Sequence, residues 1–410
     1  MQSSEILPHL FRNEYTKIVS VLCKHIGFER LETAEEIASE TFLTAAETWG
    51  IKGTPQNPTA WLYAVAKNKA KNYLQKNSVF QNKILPELTK SQQEPTGSEI
   101  DLSPENIYDS QLRMMFAVCH PSISSEAQVG LSLRILCGFG IEEIADAFLT
   151  NKETINKRLF RAKEKLREEK IAIQLPGAEE IEDRLDPVLS TIYLLFNEGY
   201  YSISQNKTLR KDLCLEAIRL CSMLVENKIT DKPQVYALLA LMCFHTSRFE
   251  ARQDENGEQI LYQDQDTDLW NHDLIVKGEI FLNKAASGIR LTKYHLEAGI
   301  AYWHTRKEDT KEKWENILQL YNRLLQLQYS PIAALNRTYA LSKANGKEEA
   351  ILEAEKLNLK DNHFYFALLG ELYLDINRFK SEENFRKALS LAKTSHDKIS
   401  IQKKIDQFSK

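Results

Sequence analysis

The apolar residues of this chain of 410 residues recur at intervals of three and four, and strictly alternating stretches are rare. Such spacing places apolar side chains along one face of an α-helix. Glycine and proline cluster at a few breaks, which separate blocks of helix from one another. The pattern therefore predicts an all-α protein that is assembled from several helical blocks.

Two breaks divide the chain into three helical domains. The first break, at 86–105, contains three prolines, one glycine, five acidic residues and one lysine, a composition without helical periodicity that is typical of a linker. The second break, at 173–187, contains the stretch "QLPGAEEIEDRLDP". We therefore predict helical domains at 1–85, 106–172 and 188–410.

The C-terminal domain ends in paired helices. The stretch "LLGELYLDINRFKSEENFRKALSLA" places Leu369, Gly370 and Tyr373 on one helix, and Phe385 and Ala388 on the next. A small residue at the crossing lets two helices approach closely, and the aromatic rings fill the space between pairs. This spacing resembles tetratricopeptide (TPR) repeats, so we predict a solenoid-like helical domain.

Composition restricts the class of protein only moderately. The formal net charge is −4, and the longest apolar runs are about half the ~20 residues that a membrane span needs. The N-terminus lacks the basic and apolar regions of a signal peptide. No Cys-x-x-Cys pair occurs among the six cysteines. We therefore expect a cytoplasmic protein with buried, reduced thiols and no membrane association.

Charge is segregated in three local stretches. Residues 51–86 contain six lysines and no acid, 27–50 contain six acids and one arginine, and 151–167 contain seven basic residues and two acids. Helix faces that are exposed only for solubility usually mix both signs. Lysines pair with phosphates, whereas an acidic helix repels them and suits a basic protein partner. Simple solvated faces remain the alternative for the first two stretches.

The third stretch, at 151–167, belongs to a helix-turn-helix pattern. In "IEEIADAFLTNKETINKRLFRAKEKLR" (141–167), a short apolar-striped helix is followed by the turn "LTNKE" and by a second helix. In this motif the start of the second helix reaches base edges in the major groove. The inward positions of the second helix are predicted to be Ile155, Leu159, Ala162 and Leu166. An ordinary amphipathic hairpin is the alternative.

Three stretches, in this order and spacing, resemble bacterial sigma factors of the extracytoplasmic-function (ECF) class. "AEEIASETFLTAAETW" (34–49) is similar to region 2.2, "NPTAWLYAVAKNKAKNYLQK" (57–76) to regions 2.3–2.4, and 141–167 to region 4. The resemblance covers about residues 5–172. The C-terminal domain resembles the extension with TPR-like units that one ECF subgroup carries.

The resemblance implies two partners, core RNA polymerase and promoter DNA. Polymerase would be bound at the clamp helices of its β′ subunit and at its β flap. The positions that match the clamp-binding residues are Glu36 and Glu40. Those that match the −10 element contacts are Lys67, Asn68, Lys71, Asn72 and Lys76. Those that match the −35 element contacts are Asn156, Lys157, Arg158, Phe160 and Arg161.

The resemblance has departures and further implications. The usual "DLVQETF" of region 2.2 reads "EIASETF" here, and Lys67 and Lys76 replace arginines. Lysine lacks the bidentate fork that reads guanine, so contacts there are expected to favour phosphate over base. The acidic linker at 86–105 corresponds to the connector that family members thread through polymerase channels.

The sequence predicts a sigma factor rather than an enzyme. It has no glycine-rich phosphate loop, no nucleophile elbow and no His/Cys set at metal-ligand spacing, so we expect neither a cofactor nor a metal site. The C-terminal domain is expected to regulate activity, through a partner protein or an intramolecular contact. A stand-alone helix-turn-helix regulator with a TPR-like sensor is the alternative, as is a scaffold without nucleic acid. The stand-alone regulator leaves the acidic stretch at 27–50 and the acid-free stretch at 51–86 unexplained.

Overall fold

The computed structural model describes residues 3–84, 100–200, 207–252, 260 and 262–409. The prediction of an all-α protein is confirmed, since these residues form helices and turns without a β-strand. The chain divides into two compact units, Met1–Asp231 (unit 1) and Lys232–Lys410 (unit 2). Most of the predicted acidic linker, 85–99, lies outside the described residues.

Unit 1 is built around its first helix. Its described residues contain nine α-helices: α1 (Ser3–Ile26), α2 (Leu31–Lys52), α3 (Pro58–Ile84), α4 (Pro104–Val118), α5 (Ser125–Leu131), α6 (Ile141–Ala147), α7 (Lys152–Glu168), α8 (Ile181–Tyr200) and α9 (Lys207–Glu226). Helix α1 packs against α2, α3 and α4. Its Ile18 and Leu22 are fully buried at these contacts, so α1 forms the centre of the unit 1 core.

Helices α8 and α9 belong to unit 1, although the predicted C-terminal domain begins at 188. Helix α8 begins at Ile181, inside the stretch predicted as a linker. The Arg184 guanidinium donates to the Phe116 carbonyl at 2.9 Å, and Arg219 donates to the Leu136 carbonyl at 2.8 Å. Since polar groups in a core need partners, these hydrogen bonds tie α8 and α9 to the N-terminal helices. The structural division therefore differs from the predicted one.

Unit 2 consists of nine further helices among its described residues. They are α10 (Pro233–Ser247), α11 (His272–Ala285), α12 (Lys293–Trp303), α13 (Lys311–Leu327), α14 (Pro331–Asn345), α15 (Lys347–Leu357), α16 (His363–Tyr373), α17 (Arg378–Leu391) and α18 (Ser395–Ile405). Successive helices pack against one another, and α10 packs against α12 as well. None of the described helices combines the length and apolar character that a membrane-spanning segment requires.

The predicted close crossing near the C-terminus is present between α16 and α17. Leu369, Phe385 and Ala388 are buried. Gly370 faces the Phe385 ring so closely that a Cβ atom at this position would lie 2.9 Å from ring carbons. The Ser381 hydroxyl donates to the Gly370 carbonyl at 2.7 Å. The absence of a side chain at Gly370 therefore sets the distance between the two helices.

Candidate polymerase and nucleic-acid interfaces

Helix α2 presents an acidic stripe with an apolar side chain inside it. Glu36, Glu40 and Glu47 are exposed. The apolar spacing of 27–50 predicts a buried stripe of Ile37, Phe42, Leu43 and Ala46, but Leu43 is 59% exposed. These exposed residues are three, four or seven positions apart, so they share one face of the helix. We call Glu36, Glu40, Leu43 and Glu47 the α2 stripe. Leu43 is a candidate interface residue that the sequence reasoning missed.

The α2 stripe contacts the neighbouring basic helix through a single described ion pair. Lys69 Nζ of α3 lies 3.0 Å from Glu40 Oε2, and the Glu40 side chain is 53% exposed. Exposed ion pairs contribute about 0–1 kcal/mol. A partner protein could therefore exchange this contact for its own at little cost.

Helix α3 carries the residues that match the −10 contacts. Its inward side is formed by Leu62, Ala66 and Ala70, which are buried. The exposed members of the matched set are Asn68, Lys71, Asn72 and Lys76. Lys67 is half-buried. The structure thus places four of the five matched residues on the solvent side of one helix.

Two aromatic residues of α3 anchor the helix instead of extending its outer face. The Trp61 ring meets the Trp49 ring edge to face, with centroids 5.4 Å apart. The Tyr63 hydroxyl donates to Glu14 Oε2 at 2.5 Å. Burial, followed by the Glu14 carboxylate, raises the pKa of Tyr63 well above its usual value. Both side chains therefore fix α3 against α1 and α2.

Helices α6 and α7 form the predicted pair of helices joined by a short turn. Glu143 Oε2 accepts from the Gly140 backbone N–H at 2.8 Å at the start of α6, and Asn151 Oδ1 accepts from Thr154 N–H at 2.8 Å at the start of α7. These caps satisfy N–H groups that a helix leaves unpaired. Leu149 occupies the turn with a φ of 48°. The predicted inward residues of α7 are all buried: Ile155, Leu159, Ala162 and Leu166.

The outer face of α7 carries the residues that match the −35 contacts. Asn156, Lys157 and Arg161 are exposed, and Phe160 is 64% exposed. Arg158 is half-buried, with its guanidinium carbon 5.4 Å from the centroid of the Phe148 ring. Four of the five matched residues therefore face solvent, while the fifth packs on the turn.

The C-terminal half of α7 is ion-paired with α2. Lys163 Nζ lies 2.6 Å from Glu35 Oε2, and both side chains are only 15% exposed. Arg134 Nε lies 3.9 Å from the other oxygen of Glu35, and Arg167 pairs with Glu32. We call the pairs Lys163–Glu35 and Arg167–Glu32 the α2–α7 latch. Glu32 lies four positions before Glu36, so the α2–α7 latch lies next to the α2 stripe on this helix.

These features are typical of a protein that binds a nucleic acid and a protein partner together. Two helices present exposed cations, and a third presents carboxylates around a leucine. No group of three or more His, Cys, Asp or Glu side chains with metal-binding geometry occurs within the described part of the chain. The arrangement offers exposed charged surfaces on three helices.

Comparison with known proteins agrees with this class. Residues 10–79 match the sigma-70 region 2 family, and residues 184–286 match a family of unknown function (DUF6596). An uncharacterized protein of Rhizobium meliloti (strain 1021) is 33% identical over 388 residues, covering 93% of this chain and 91% of that protein. No solved structure matches the chain.

The chain thus belongs to the same family as the Rhizobium meliloti protein, and its match to sigma-70 region 2 supports its assignment as a sigma-70 family factor. Region 2 carries a role in promoter recognition, and it implies interaction with core RNA polymerase and promoter DNA in general. The match begins in α1 and ends in α3, so it includes the α2 stripe and the exposed residues of α3.

Proposed function

We propose that this chain is an ECF-class sigma factor that binds core RNA polymerase through the α2 stripe. Helices α3 and α7 direct the polymerase to promoters, and a TPR-like C-terminal domain modulates activity. The protein performs no covalent chemistry itself; phosphodiester synthesis belongs to the polymerase. The observation that best supports this proposal is the acidic α2 stripe directly beside the exposed, acid-free face of α3.

The α2 stripe has the layout of a protein-docking surface. At protein interfaces, a desolvated apolar centre supplies much of the affinity, while surrounding charges supply orientation and association rate. Leu43 would provide that centre, and Glu36 and Glu40 would pair with basic side chains of the polymerase clamp helices. The same carboxylates disfavour contact between this face and DNA phosphates.

The two basic surfaces act on DNA in different ways. The lysines of α3 contact the phosphates of the −10 element, and its amides contact unpaired bases, which lowers the free energy of the melted promoter. The N-terminal half of α7 enters the major groove of the −35 element. Binding energy is thus used to locate a promoter and then to open it.

This mechanism requires the α2–α7 latch to separate. Positions −10 and −35 are about 25 base pairs apart, roughly 85 Å at ~3.4 Å per base pair. Helix α7 has 17 residues and α3 has 27, so they measure about 25 and 40 Å at ~1.5 Å per residue. Because a 2.6 Å ion pair joins α7 to α2, and α2 packs against α3, the surfaces of α3 and α7 cannot both lie on one promoter. We therefore propose that the structure represents a closed form that opens on polymerase.

The docking surface can be tested by binding to purified core polymerase. The double variant E36K/E40K should lose association at moderate ionic strength, and Leu43→Asp should weaken it at least about tenfold because the apolar centre is lost. E179K/E180K, an equal charge change at two exposed residues outside α2, is the matched control. Unchanged binding of both α2 variants would reject this docking surface.

The DNA surfaces can be tested by run-off transcription on the upstream region of the gene itself. K71A/K76A and K157A/R161A should reduce transcripts without reducing polymerase association, whereas the exposed Lys228→Ala should behave as wild type. Each lost phosphate contact should flatten the dependence of log K on log salt by about one unit. A stand-alone regulator would instead bind duplex DNA without polymerase and would not co-purify with it.

A further inference from the structure

Unit 2 contains a cavity of about 730 Å³. Its lining residues come from loops that flank α10 and α12 and from helices α13, α14, α16, α17 and α18. Its volume lies within the range of roughly 300–1,000 Å³ that is usual for small-molecule sites. The cavity is separate from the α2 stripe and from the outer faces of α3 and α7, all of which lie in unit 1.

One wall of the cavity is a continuous row of rings. The centroids of Tyr262 and His304 are 5.1 Å apart, those of His304 and Trp314 6.0 Å, and those of Trp314 and Tyr339 5.4 Å. Leu368 and other apolar side chains line the cavity as well. A planar apolar group fits such a wall because rings favour stacked and edge-to-face contacts.

The cavity also contains a buried cation for which the described residues supply no counter-ion. Arg248 lines the cavity and is 8% exposed. Its guanidinium carbon lies 5.3 Å from the Tyr262 ring centroid and 5.8 Å from that of Trp270. Its Nε has no hydrogen-bond partner, and no carboxylate of the described residues pairs with it. An unpaired buried charge is unfavourable, so an anion inside the cavity would satisfy it.

The neighbouring lysines are already engaged. Lys307 Nζ donates to the carbonyls of Tyr262, Gln263 and Gln265 at 3.2, 3.0 and 2.8 Å. Lys313 Nζ donates to the Tyr262 hydroxyl at 2.9 Å and to the Arg306 carbonyl at 2.5 Å. Lys307 and Lys313 therefore fix the 262–265 segment through hydrogen bonds, and their charges add to the positive potential near the cavity.

The other two cations in the lining have carboxylate partners. Lys343 pairs with Asp309 at 2.7 Å, and Lys404 pairs with Glu371 at 2.7 Å. His304 is a second lining residue with an unsatisfied polar atom, because its Nδ1 is buried without a hydrogen-bond partner in the described structure. Burial, together with nearby cations, lowers the pKa of His304 to about 3. The ring is therefore neutral at pH 7, and one of its nitrogens can donate to an anion.

We propose that this cavity binds a small organic anion, whose carboxylate or phosphate pairs with Arg248 and whose planar apolar body lies against the aromatic wall. The proposal goes beyond the proposed function, because it concerns unit 2 and is measured without polymerase or DNA. Its failure would leave the sigma-factor proposal intact, and the reverse also holds.

Isothermal titration calorimetry on the full chain tests the proposal with benzoate, phenyl phosphate, inorganic phosphate and uncharged benzyl alcohol. One of the two aromatic anions should bind with one-to-one stoichiometry and a Kd below about 10 mM. Inorganic phosphate lacks the planar body and benzyl alcohol lacks the charge, so both should bind at least about tenfold more weakly. The order of benzoate and phenyl phosphate distinguishes carboxylate from phosphate recognition.

Variants then locate the site. Arg248→Gln should weaken the better probe at least about tenfold, the loss expected for a charge-assisted hydrogen bond. Arg306→Gln removes an equal charge from a residue whose side chain bonds Tyr302 outside the lining, and it should bind as wild type. Ser400→Phe places a large side chain in the cavity and retains Arg248, so it should weaken binding. This variant tests the site even if Arg248→Gln does not fold.

Two results would overturn the proposal. One is the absence of saturable binding by wild type for every aromatic anion below about 10 mM. The other is wild-type binding by both the Arg248→Gln and Ser400→Phe variants, which would place the probe elsewhere. Arg248 would then be a packing residue that is stabilised by its contacts with Tyr262 and Trp270.

Discussion

The ion pair between Lys163 and Glu35 offers a direct test of the closed form of unit 1. Lys163→Met retains most of the apolar length of the side chain and removes its charge. The wild-type atoms are 2.6 Å apart, and each side chain is 15% exposed. The substitution therefore leaves the Glu35 carboxylate largely buried, with Arg134 at 3.9 Å as its remaining described ion-pair partner.

The expected magnitude lies between two known limits. Breaking a fully buried pair costs about 3–5 kcal/mol, and an exposed pair contributes about 0–1 kcal/mol. The pair is slightly exposed and Arg134 is nearby. Lys163→Met should therefore lower the free energy of detaching α7 from α2 by about 1–3 kcal/mol. Since about 1.4 kcal/mol is a factor of ten, the detached fraction should rise roughly tenfold.

Hydrogen exchange of the full chain measures this detachment directly. Amides of α7 should exchange about tenfold faster in Lys163→Met, and a double-mutant cycle with Glu35→Gln should give a coupling of at least about 1 kcal/mol. Lys157→Met, at an exposed position of the same helix, should change exchange by less than about 0.5 kcal/mol. If opening limits binding, Lys163→Met should also tighten association with polymerase. Equal α7 exchange in wild type and Lys163→Met would refute the reasoning.

Two further predictions concern packing. Gly370→Ala would place a Cβ atom 2.9 Å from the buried Phe385 ring, so the free energy of unfolding should fall by about 1–3 kcal/mol in denaturant titrations; Gly177→Ala, where a Cβ meets open space, should change it by less than about 0.5 kcal/mol. A chain truncated after residue 231 should keep a cooperative thermal transition by circular dichroism, whereas truncation after 185 removes most of α8 and all of α9 and should abolish it. Equal transitions in both truncations would show that unit 1 does not need these helices.

Helix α7 was predictable to single residues because its apolar and charged positions separate cleanly at the helical period. Its four inward positions are all buried. Helix α2 was less predictable because apolar residues occur on more than one of its sides. Phe42 is buried as expected, but Leu43 and Ala46 are exposed. Which side becomes internal depends on where α1 packs, and local periodicity does not contain that information.

Contacts between distant segments could not be predicted from the sequence. Lys163 and Arg167 are four residues apart and read as one basic edge of α7, but their partners Glu32 and Glu35 lie more than a hundred residues earlier. The same holds for the cavity in unit 2. Arg248 has no unusual neighbours in the sequence, and its significance arises only when loops and helices from seven parts of the chain form the cavity around it.

Buried Lys313 links the stability of unit 2 to pH. This residue is 1% exposed. Burial lowers its pKa to about 8; Asp309 and Glu308 oppose this shift, whereas Arg248 and Lys307 add to it. In the unfolded chain the same lysine titrates near 10.5. Between these values the unfolded chain binds a proton that the folded chain does not, so stability should rise with pH across this window.

Comparison of wild type with Lys313→Met isolates the contribution of Lys313, because the other titrating groups contribute almost equally to both proteins. The free energy of unfolding of wild type, relative to that variant, should be constant below about pH 7 and should rise between about pH 8 and 10. The pKa of Lys343 is raised by its hydrogen bond to Asp309. The free energy of unfolding of wild type relative to Lys343→Met should therefore show no such rise in this window. Parallel curves for wild type and Lys313→Met would contradict the assignment. An anion bound beside Arg248 would stabilise the charged form of Lys313, so a saturating aromatic anion should move the rise to higher pH.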